Sequence, residues 1–185
     1  MVVGLLGLQG AFLDHRPHLE RLGASPRIVR DSVGLQAVDR LIIPGGESTV
    51  MAKFLEEYGM VAPLRARLKA GMPVWGICAG TILLADRIDG APGPLGALPI
   101  AVSRNAYGRQ IDSQRQEIAI ALFGTLAYPA IFIRAPRIDR LDPRVKIHAT
   151  LGKDPVFVQS GPCMATTFHP ELNRDGLFHR YFLSL

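Results

Sequence analysis

A cysteine flanked by glycines gives the sharpest chemical signal in this sequence. The segment Gly76-Ile77-Cys78-Ala79-Gly80 lies between an apolar run and a short helical stretch. This is the layout of a nucleophile elbow, in which a strand turns sharply into a helix, with cysteine in place of serine. The N–H groups and positive dipole end of the following helix favour the thiolate of Cys78. A buried, unreactive cysteine in a glycine turn is the alternative interpretation.

A nucleophilic cysteine needs a base, and the base needs an orienting group. His169 stands at the end of an apolar run and is followed by Pro170 and Glu171. We predict that Glu171 accepts a hydrogen bond from one imidazole nitrogen, which leaves the other nitrogen to face the cysteine. An ordinary surface-loop histidine is the alternative. The remaining histidines are interpreted as structural or exposed: His15, His18, His148 and His179.

A third candidate is the loop at residues 44–49, Pro-Gly-Gly-Glu-Ser-Thr, which follows a short apolar run and precedes a helical stretch. Two consecutive glycines let backbone N–H groups point into a site, as in an oxyanion hole. A generic turn with Ser48 as the helix N-cap, or an anion-binding helix start, are the alternatives. The spacing matches neither the dinucleotide fingerprint nor the Walker loop.

The elements that must position these residues alternate between short apolar runs and helical stretches, which predicts a parallel sheet. Predicted strands cover residues 2–8, 27–30, 40–43 and 73–77. Predicted helices cover residues 14–22, 48–58, 61–70, 79–84 and 176–183. Leu13, Leu19 and Leu22 can share one face of the first, and Ser48 is predicted to cap the second. Beyond residue 86, short alternating runs at 117–122, 131–133, 146–150, 156–159 and 164–168 predict an antiparallel or mixed extension.

This pattern predicts an α/β fold with three layers: a flavodoxin-like, mixed but mostly parallel sheet with helices on both faces. All three motifs follow predicted strands, and active-site residues of such sheets collect at the carboxyl ends of the strands. The length of 185 residues predicts a single domain, residues 1–185. The nucleophile, base, orienting acid and oxyanion donors are therefore expected to meet at one edge of the sheet.

Composition narrows the possible partners and compartments. The net charge is +5, but the basic residues are scattered, so no nucleic-acid partner is expected. No apolar run has the length of a membrane span, and no membrane partner is expected. Two cysteines form no disulfide framework, which favours a cytoplasmic, reducing setting. No residue cluster suggests a metal, and no cofactor is predicted.

With these motifs in place, the chain resembles the class I glutamine amidotransferases that use a Cys-His-Glu triad. More closely, it is similar to the glutaminase subunits of pyridoxal 5′-phosphate synthase, the PdxT family. The resemblance runs nearly end to end. Its segments are GLQGAF at residues 7–12, PGGEST at 44–49, CAG at 78–80, RNAYGRQ at 104–110, FIRAP at 132–136 and HPEL at 169–172. The triad alone indicates the broad class, whereas RNAYGRQ and FIRAP indicate the subfamily.

The resemblance implies a role for each matched position. Cys78 attacks the carboxamide of L-glutamine, His169 carries protons and Glu171 orients it, while Gly46 and Ala79 form the oxyanion hole. The glutamine-binding positions are Gly45, Gly46, Glu47, Arg104, Ile133 and Arg134. Gln9 falls at the family's contact with the synthase subunit. That PdxS-like partner, in a larger hetero-oligomer, is implied to use the released ammonia to make pyridoxal 5′-phosphate (vitamin B6).

Three other interpretations remain open. The chain could serve another synthase, such as imidazole glycerol phosphate synthase, although the segment at 104–110 argues against this. A PfpI-type cysteine hydrolase or chaperone shares the cysteine elbow but does not require the pair His169 and Glu171. A non-catalytic regulatory binding subunit would be expected to lack a triad member, and none is missing.

Overall fold

The computed structural model describes residues 1–104 and 113–185, so residues 105–110 of the RNAYGRQ segment lie outside the described residues. The described residues form thirteen strands: β1 (Val2–Leu6), β2 (Ser25–Val29), β3 (Arg40–Ile43), β4 (Val74–Ile77), β5 (Ala85–Ile88), β6 (Ala91–Pro92), β7 (Leu98–Ser103), β8 (Ser113–Ile120), β9 (Thr125–Ile133), β10 (Arg137–Leu141), β11 (Lys146–Leu151), β12 (Asp154–Ser160) and β13 (Cys163–Thr166). These strands make one large sheet and two smaller ones.

The same residues form six α-helices: α1 (Arg16–Arg21), α2 (Ser32–Gln36), α3 (Ser48–Glu57), α4 (Val61–Lys69), α5 (Ala79–Leu84) and α6 (Leu177–Ser184). Short 3-10 helices occur at Phe12–His15, Ala121–Phe123 and Pro170–Leu172. Within the described ranges, no helix is long and apolar enough to cross a membrane.

The seven-stranded sheet has the order β11-β12-β13-β4-β3-β1-β2. Its strands from β13 to β2 pair in parallel, while β11, β12 and β13 pair antiparallel. Parallel strands are usually covered on both faces, and this sheet follows that rule. In β3, Leu41 and Ile43 point into one core and Ile42 into the other. The predicted mixed, mostly parallel sheet between two layers is confirmed.

The two cores differ in what covers them. One is aliphatic and packs beneath α2, α3, α4 and α5. The other is rich in aromatic side chains and packs beneath α1, α6 and the hairpin of β8 and β9. Trp75 of β4 is fully buried in the aromatic core and donates a hydrogen bond from Nε1 to Thr166 Oγ1 at 3.2 Å.

Three local predictions were wrong. The helix expected at residues 14–22 is split into a 3-10 turn and α1, and Leu13 is 53% exposed instead of sharing the core face. The first strand ends at Leu6. Ser48 is the first residue of α3 and not its cap, because the Glu47 carboxylate accepts from the N–H groups of Thr49 and Val50. Glutamate reaches the same free donors that a serine cap would satisfy.

The second half of the chain extends the sheet only in part. Strands β11 and β12 add to its edge antiparallel, as predicted. The strands β8 and β9 instead form a separate hairpin, and β10, β7, β5 and β6 form a four-stranded sheet of their own. Alternating patterns mark strands but carry no information on which strands pair, since that depends on contacts far apart in sequence.

Candidate active site

Cys78 occupies the sharp junction between β4 and α5. Its backbone has φ of 50° and ψ of −100°, a conformation that non-glycine residues rarely adopt and that is held by the surrounding structure. The flanking glycines are needed because the neighbouring backbone leaves no room for a side chain at either position. A Cβ on Gly80 would lie 2.1 Å from the carbonyl oxygen of Ile43, and one on Gly76 would lie 2.7 Å from that of Gly80. The two glycines therefore let α5 approach β3 and β4 closely.

His169 and Glu171 form a buried pair. Nδ1 of His169 lies 2.7 Å from Oε1 of Glu171, and both side chains are almost fully buried. Burial lowers the pKa of His169, but its interactions with Cys78 and Glu171 outweigh burial and raise that pKa to about 10. Burial alone would raise the pKa of Glu171, but the hydrogen bond with His169 holds it below its usual range. The carboxylate is therefore ionised and favours the imidazolium.

The thiol and the imidazole line the same cavity, whose volume is about 370 Å³. Nε2 of His169 is buried and makes no hydrogen bond to any part of the chain that the structure describes. The Cys78 thiol instead donates to the carbonyl oxygen of Ile133, with an Sγ–O distance of 3.7 Å. Catalytic hydrogen bonds often tighten only when substrate binds, so the arrangement is compatible with proton transfer between Sγ and Nε2.

The loop at residues 44–49, hereafter the Gly-Gly loop, closes over the imidazole. A Cβ on Gly45 would lie 2.4 Å from Cε1 of His169, so only glycine fits there. The carbonyl oxygen of Gly45 accepts from the Ala11 N–H at 3.0 Å. Oε1 of Gln9 accepts from the Glu47 N–H at 2.8 Å. Two hydrogen bonds from the segment after β1 therefore hold the loop in place.

The other residues implied by the resemblance are also in this cavity, except Glu171, which lies behind His169. The cavity is lined by Gln9, Gly45, Gly46, Glu47, Cys78, Ala79, Arg104, Ile133, Arg134 and His169, among others. Ala79 is the first residue of α5, where the N–H groups of a helix have no intrahelical acceptor.

Two arginines give the cavity a positive wall. Nε of Arg104 lies 2.7 Å from Oδ2 of Asp89, and its Nη1 lies 3.2 Å from Oγ1 of Thr49. Its hydrogen bonds hold the pKa of Asp89 below the usual range. Arg134 is exposed and has a φ of 43°, in the left-handed region that residues other than glycine seldom adopt. Both arginines line the cavity, and a guanidinium there can pair with an anionic part of a ligand.

Sequence reasoning missed a histidine cluster next to this site. His15, His18 and His179 are buried together, whereas the sequence indicated only that each is structural or exposed.

The second cysteine lies away from the site. Cys163 is the first residue of β13, whereas the site lies beyond the other end of that strand, and burial raises the pKa of its thiol to about 12. Across the described residues, no group of three or more histidine, cysteine or acidic side chains is arranged to hold a metal.

Comparison with known proteins finds relatives that match this chain along its whole length. The chain is 45% identical over 186 residues to a pyridoxal 5′-phosphate synthase subunit PdxT of Clostridium acetobutylicum, with 100% of both chains covered. It is 48% identical over 191 residues to a PdxT of Deinococcus radiodurans, covering 100% of this chain and 97% of the relative.

A solved structure described as a glutamine amidotransferase superposes with a TM-score of 0.92 at 43% identity, covering 100% of this chain and 98% of that one. The model of the SNO glutamine amidotransferase family matches residues 5–185. The chain therefore belongs to the SNO glutamine amidotransferase family.

Proposed function

We propose that this chain is the glutaminase subunit of a pyridoxal 5′-phosphate synthase. It hydrolyses L-glutamine to L-glutamate and ammonia, and the ammonia serves vitamin B6 synthesis in a partner subunit. The observation that carries this proposal is the shared cavity of Cys78 and His169, with Glu171 at 2.7 Å behind the imidazole. The relatives at about 45% identity, which are named as PdxT subunits, support the choice of pathway.

The chemistry divides into two half-reactions, each using the same groups. The Cys78 thiolate attacks the side-chain carboxamide carbon, and the carbonyl oxygen becomes an oxyanion. The tetrahedral intermediate collapses as His169 protonates the leaving nitrogen, which releases ammonia and leaves a thioester. Water, deprotonated by His169, then attacks the thioester, and glutamate leaves as the thiolate is restored. Glu171 holds the imidazole in the required tautomer throughout.

Backbone donors and charged side chains fit the remaining needs of the reaction. The N–H groups of Gly46 and Ala79 are proposed to bind the oxyanion, at the Gly-Gly loop and the start of α5. Arg104 and Arg134 are proposed to pair with the substrate α-carboxylate. Gly45, Glu47 and Ile133 complete the proposed glutamine site, and all three line the cavity.

The partner and the setting follow from the same proposal. The acceptor of ammonia is a PdxS-like synthase subunit in a larger hetero-oligomer, and Gln9 is proposed to lie at the contact with it. Residues 1–185 act as one glutaminase domain, because both cores pack on the same central sheet. Two unpaired cysteines agree with a cytoplasmic location.

The test is glutamate release from glutamine, measured with and without a PdxS-type synthase subunit. Cys78→Ala and Cys78→Ser should abolish hydrolysis while the fold and glutamine binding survive, because the sulfur is not needed for the elbow. Cys163→Ala is the matched control, since its thiol is buried and has no base beside it. A glutamine-like diazo ketone should label Cys78 alone.

Two outcomes would contradict the proposal. Loss of activity in Cys163→Ala with retention in Cys78→Ala would show that the nucleophile is misassigned. Glutamate release that only a different synthase stimulates would place the chain with another ammonia acceptor, and binding of glutamine without hydrolysis would indicate a regulatory subunit.

A further inference from the structure

Three buried histidines lie directly behind the proposed triad. His15 ends a 3-10 turn, His18 belongs to α1 and His179 to α6. Nδ1 of His15 lies 2.9 Å from Nε2 of His179. The rings of His18 and His179 stack with centroids 4.3 Å apart and an angle of 10° between them. His15 and His179 both also pack edge-on against Trp75. The cluster is therefore an ordered, water-excluded part of the aromatic core.

This cluster contacts the residue that orients the proposed base. Nε2 of His18 lies 3.0 Å from the backbone carbonyl oxygen of Glu171, and Nη2 of Arg21 lies 2.9 Å from Nδ1 of His18. A carbonyl oxygen only accepts and a guanidinium only donates, so His18 must be the neutral Nε2–H tautomer. One neutral histidine thus fixes the backbone of Glu171.

The carboxylate of Glu171 and the ring of His15 have complementary unsatisfied atoms. Oε1 of Glu171 accepts from His169, whereas Oε2 is buried with no hydrogen-bond partner within residues 1–104 and 113–185. Nε2 of His15 is also buried and has no hydrogen-bond partner among the described residues. An ionised carboxylate oxygen can only accept a hydrogen bond, so the partner of Oε2 must be a donor. The structure has no hydrogen bond between these two atoms themselves. The rule that buried polar groups are paired favours one between them.

The charges in the core decide which tautomer His15 takes. Burial lowers the pKa of His15 to about 4, although the negative charge of Glu171 acts to raise it. Burial also lowers the pKa of His179 to about 2. Both rings are therefore neutral at pH 7. A hydrogen on Nδ1 of His15 would leave the lone pair of Nε2 near an anionic carboxylate. A hydrogen on Nε2 avoids this repulsion, and Nδ1 then accepts from the Nε2–H of His179.

We propose, resting on the proposed function, that His15 is a positioning residue for Glu171. Its Nε2–H is directed at Oε2 of Glu171, and its Nδ1 accepts from the Nε2–H of His179. The carboxylate is thereby held by His169 on one oxygen and by the neutral histidine pair on the other. The histidine pair thus fixes the carboxylate so that Oε1 remains hydrogen-bonded to His169, and it supplies a hydrogen-bond donor to the buried negative charge.

Substitutions at position 15 separate this role from simple packing. The amide nitrogen of glutamine reaches the place of Nε2 in histidine, whereas that of asparagine reaches only the place of Nδ1. His15→Asn should therefore lower kcat by about 10- to 100-fold with little change in KM. His15→Gln should recover most of this loss. The assay is glutamate release by the full chain in complex with its synthase subunit, with melting temperatures recorded for each variant.

His148→Gln is the matched control, because His148 is a partly buried histidine of β11 that bonds Gln159, outside the cavity and the cluster. It should leave kcat unchanged. If His15→Asn and His15→Gln lost kcat equally, and in proportion to their fall in melting temperature, His15 would have a packing role only. Normal turnover in His15→Asn would overturn the positioning role outright.

A spectroscopic measurement tests the geometry without catalysis. In the ¹⁵N-histidine NMR spectrum at pH 7, His15 and His179 should appear as neutral rings protonated on Nε2, and His18 should carry a hydrogen on Nε2. A hydrogen on Nδ1 of His15 would overturn the proposal even in an active enzyme. If the wild-type complex released no glutamate, the proposed function would fail, while the tautomers would still decide whether His15 faces Glu171.

Discussion

At the scale of single residues, each member of the proposed triad depends on a different physical cause. Cys78 is held in a rare backbone conformation by the elbow. His169 takes its raised pKa from its neighbours in spite of burial. Glu171 stays ionised in the core because the hydrogen bond with His169 offsets the cost of desolvation. Removing any one of these neighbours therefore changes the chemistry of the others.

Glu171→Gln keeps the size of the side chain and removes its charge. In serine-protease triads the equivalent change lowers turnover roughly 10⁴-fold, because the histidine loses its tautomer and its counter-charge. We expect kcat of this variant to fall at least about 100-fold, with a much smaller change in glutamine affinity. The measurement is steady-state glutamate release together with binding of glutamine by calorimetry. Near-normal turnover would show that Glu171 is an ordinary loop residue.

The same variant should change the dependence on pH. In the proposed mechanism His169 must be protonated to expel ammonia, and its pKa of about 10 keeps it protonated throughout the neutral range. Loss of the Glu171 charge lowers that pKa, so the alkaline limb of kcat against pH should move to lower pH. An unmoved limb would show that the charge of Glu171 does not act on His169.

Arg104 offers a test of substrate recognition at the cavity wall. A charge-assisted hydrogen bond typically contributes about 1.5–3 kcal/mol, and exposure of Arg104 argues for the lower end. We expect Arg104→Ala to weaken glutamine binding about tenfold. Arg174→Ala is the control, because Arg174 is exposed and outside the cavity. Equal dissociation constants in the two variants would remove Arg104 from the proposed site.

At the scale of elements, the strand β3 and the helix α5 beside the site were the most predictable. The bounds of β3 and α5 match the sequence prediction, because continuous apolar runs between glycine turns leave few alternatives. Helix α2 was missed, since five residues with a single buried side chain, Leu35, give little periodicity. Its only strong local signal is Asp31, whose carboxylate accepts from the Gly34 N–H.

The histidine cluster was beyond prediction for a related reason. His15 and His179 are 164 positions apart, and nothing in either local segment indicates that they touch. Their contact depends on the 3-10 turn before α1 and on α6 covering the same face of the sheet. The pair His169 and Glu171 was predictable because a two-residue separation brings the side chains together through local geometry alone. The loop that caps them was recognised as a glycine turn, whereas its hydrogen bonds to Gln9 and Ala11 were not.

At the scale of the whole molecule, the Gly-Gly loop connects the proposed site to the segment after β1. The Gly45 carbonyl is held by Ala11, and the Glu47 N–H is held by Gln9. A trans peptide is planar, so the Gly46 N–H points away from the side on which Ala11 binds the Gly45 carbonyl. Rotation of this peptide would exchange those directions, which glycine permits at low cost. A partner that contacts Gln9 can therefore bias the orientation of a proposed oxyanion donor.

We accordingly expect the isolated chain to hydrolyse glutamine slowly and the synthase subunit to stimulate it strongly. A single oxyanion donor is worth about 100- to 1,000-fold in kcat, so stimulation of about 100-fold is expected. Coupling between binding equilibria is reciprocal, so glutamine should tighten the complex with the synthase by about 5- to 150-fold. The measurements are glutamate release against synthase concentration and the dissociation constant of the complex with and without glutamine, using Cys78→Ala for binding.

Gln9 supplies the decisive variant for this gating. Gln9→Ala removes the hydrogen bond to the Glu47 N–H, so it should reduce stimulation by the synthase more than it reduces glutamine binding. Gln36→Ala is the matched control, since Gln36 is exposed at the end of α2 and lies outside the cavity. Full activity of the isolated chain, unchanged on addition of the synthase, would overturn the gating and leave the roles of Cys78, His169 and Glu171 untouched. Equal loss of stimulation in both variants would show that Gln9 has no special part in it.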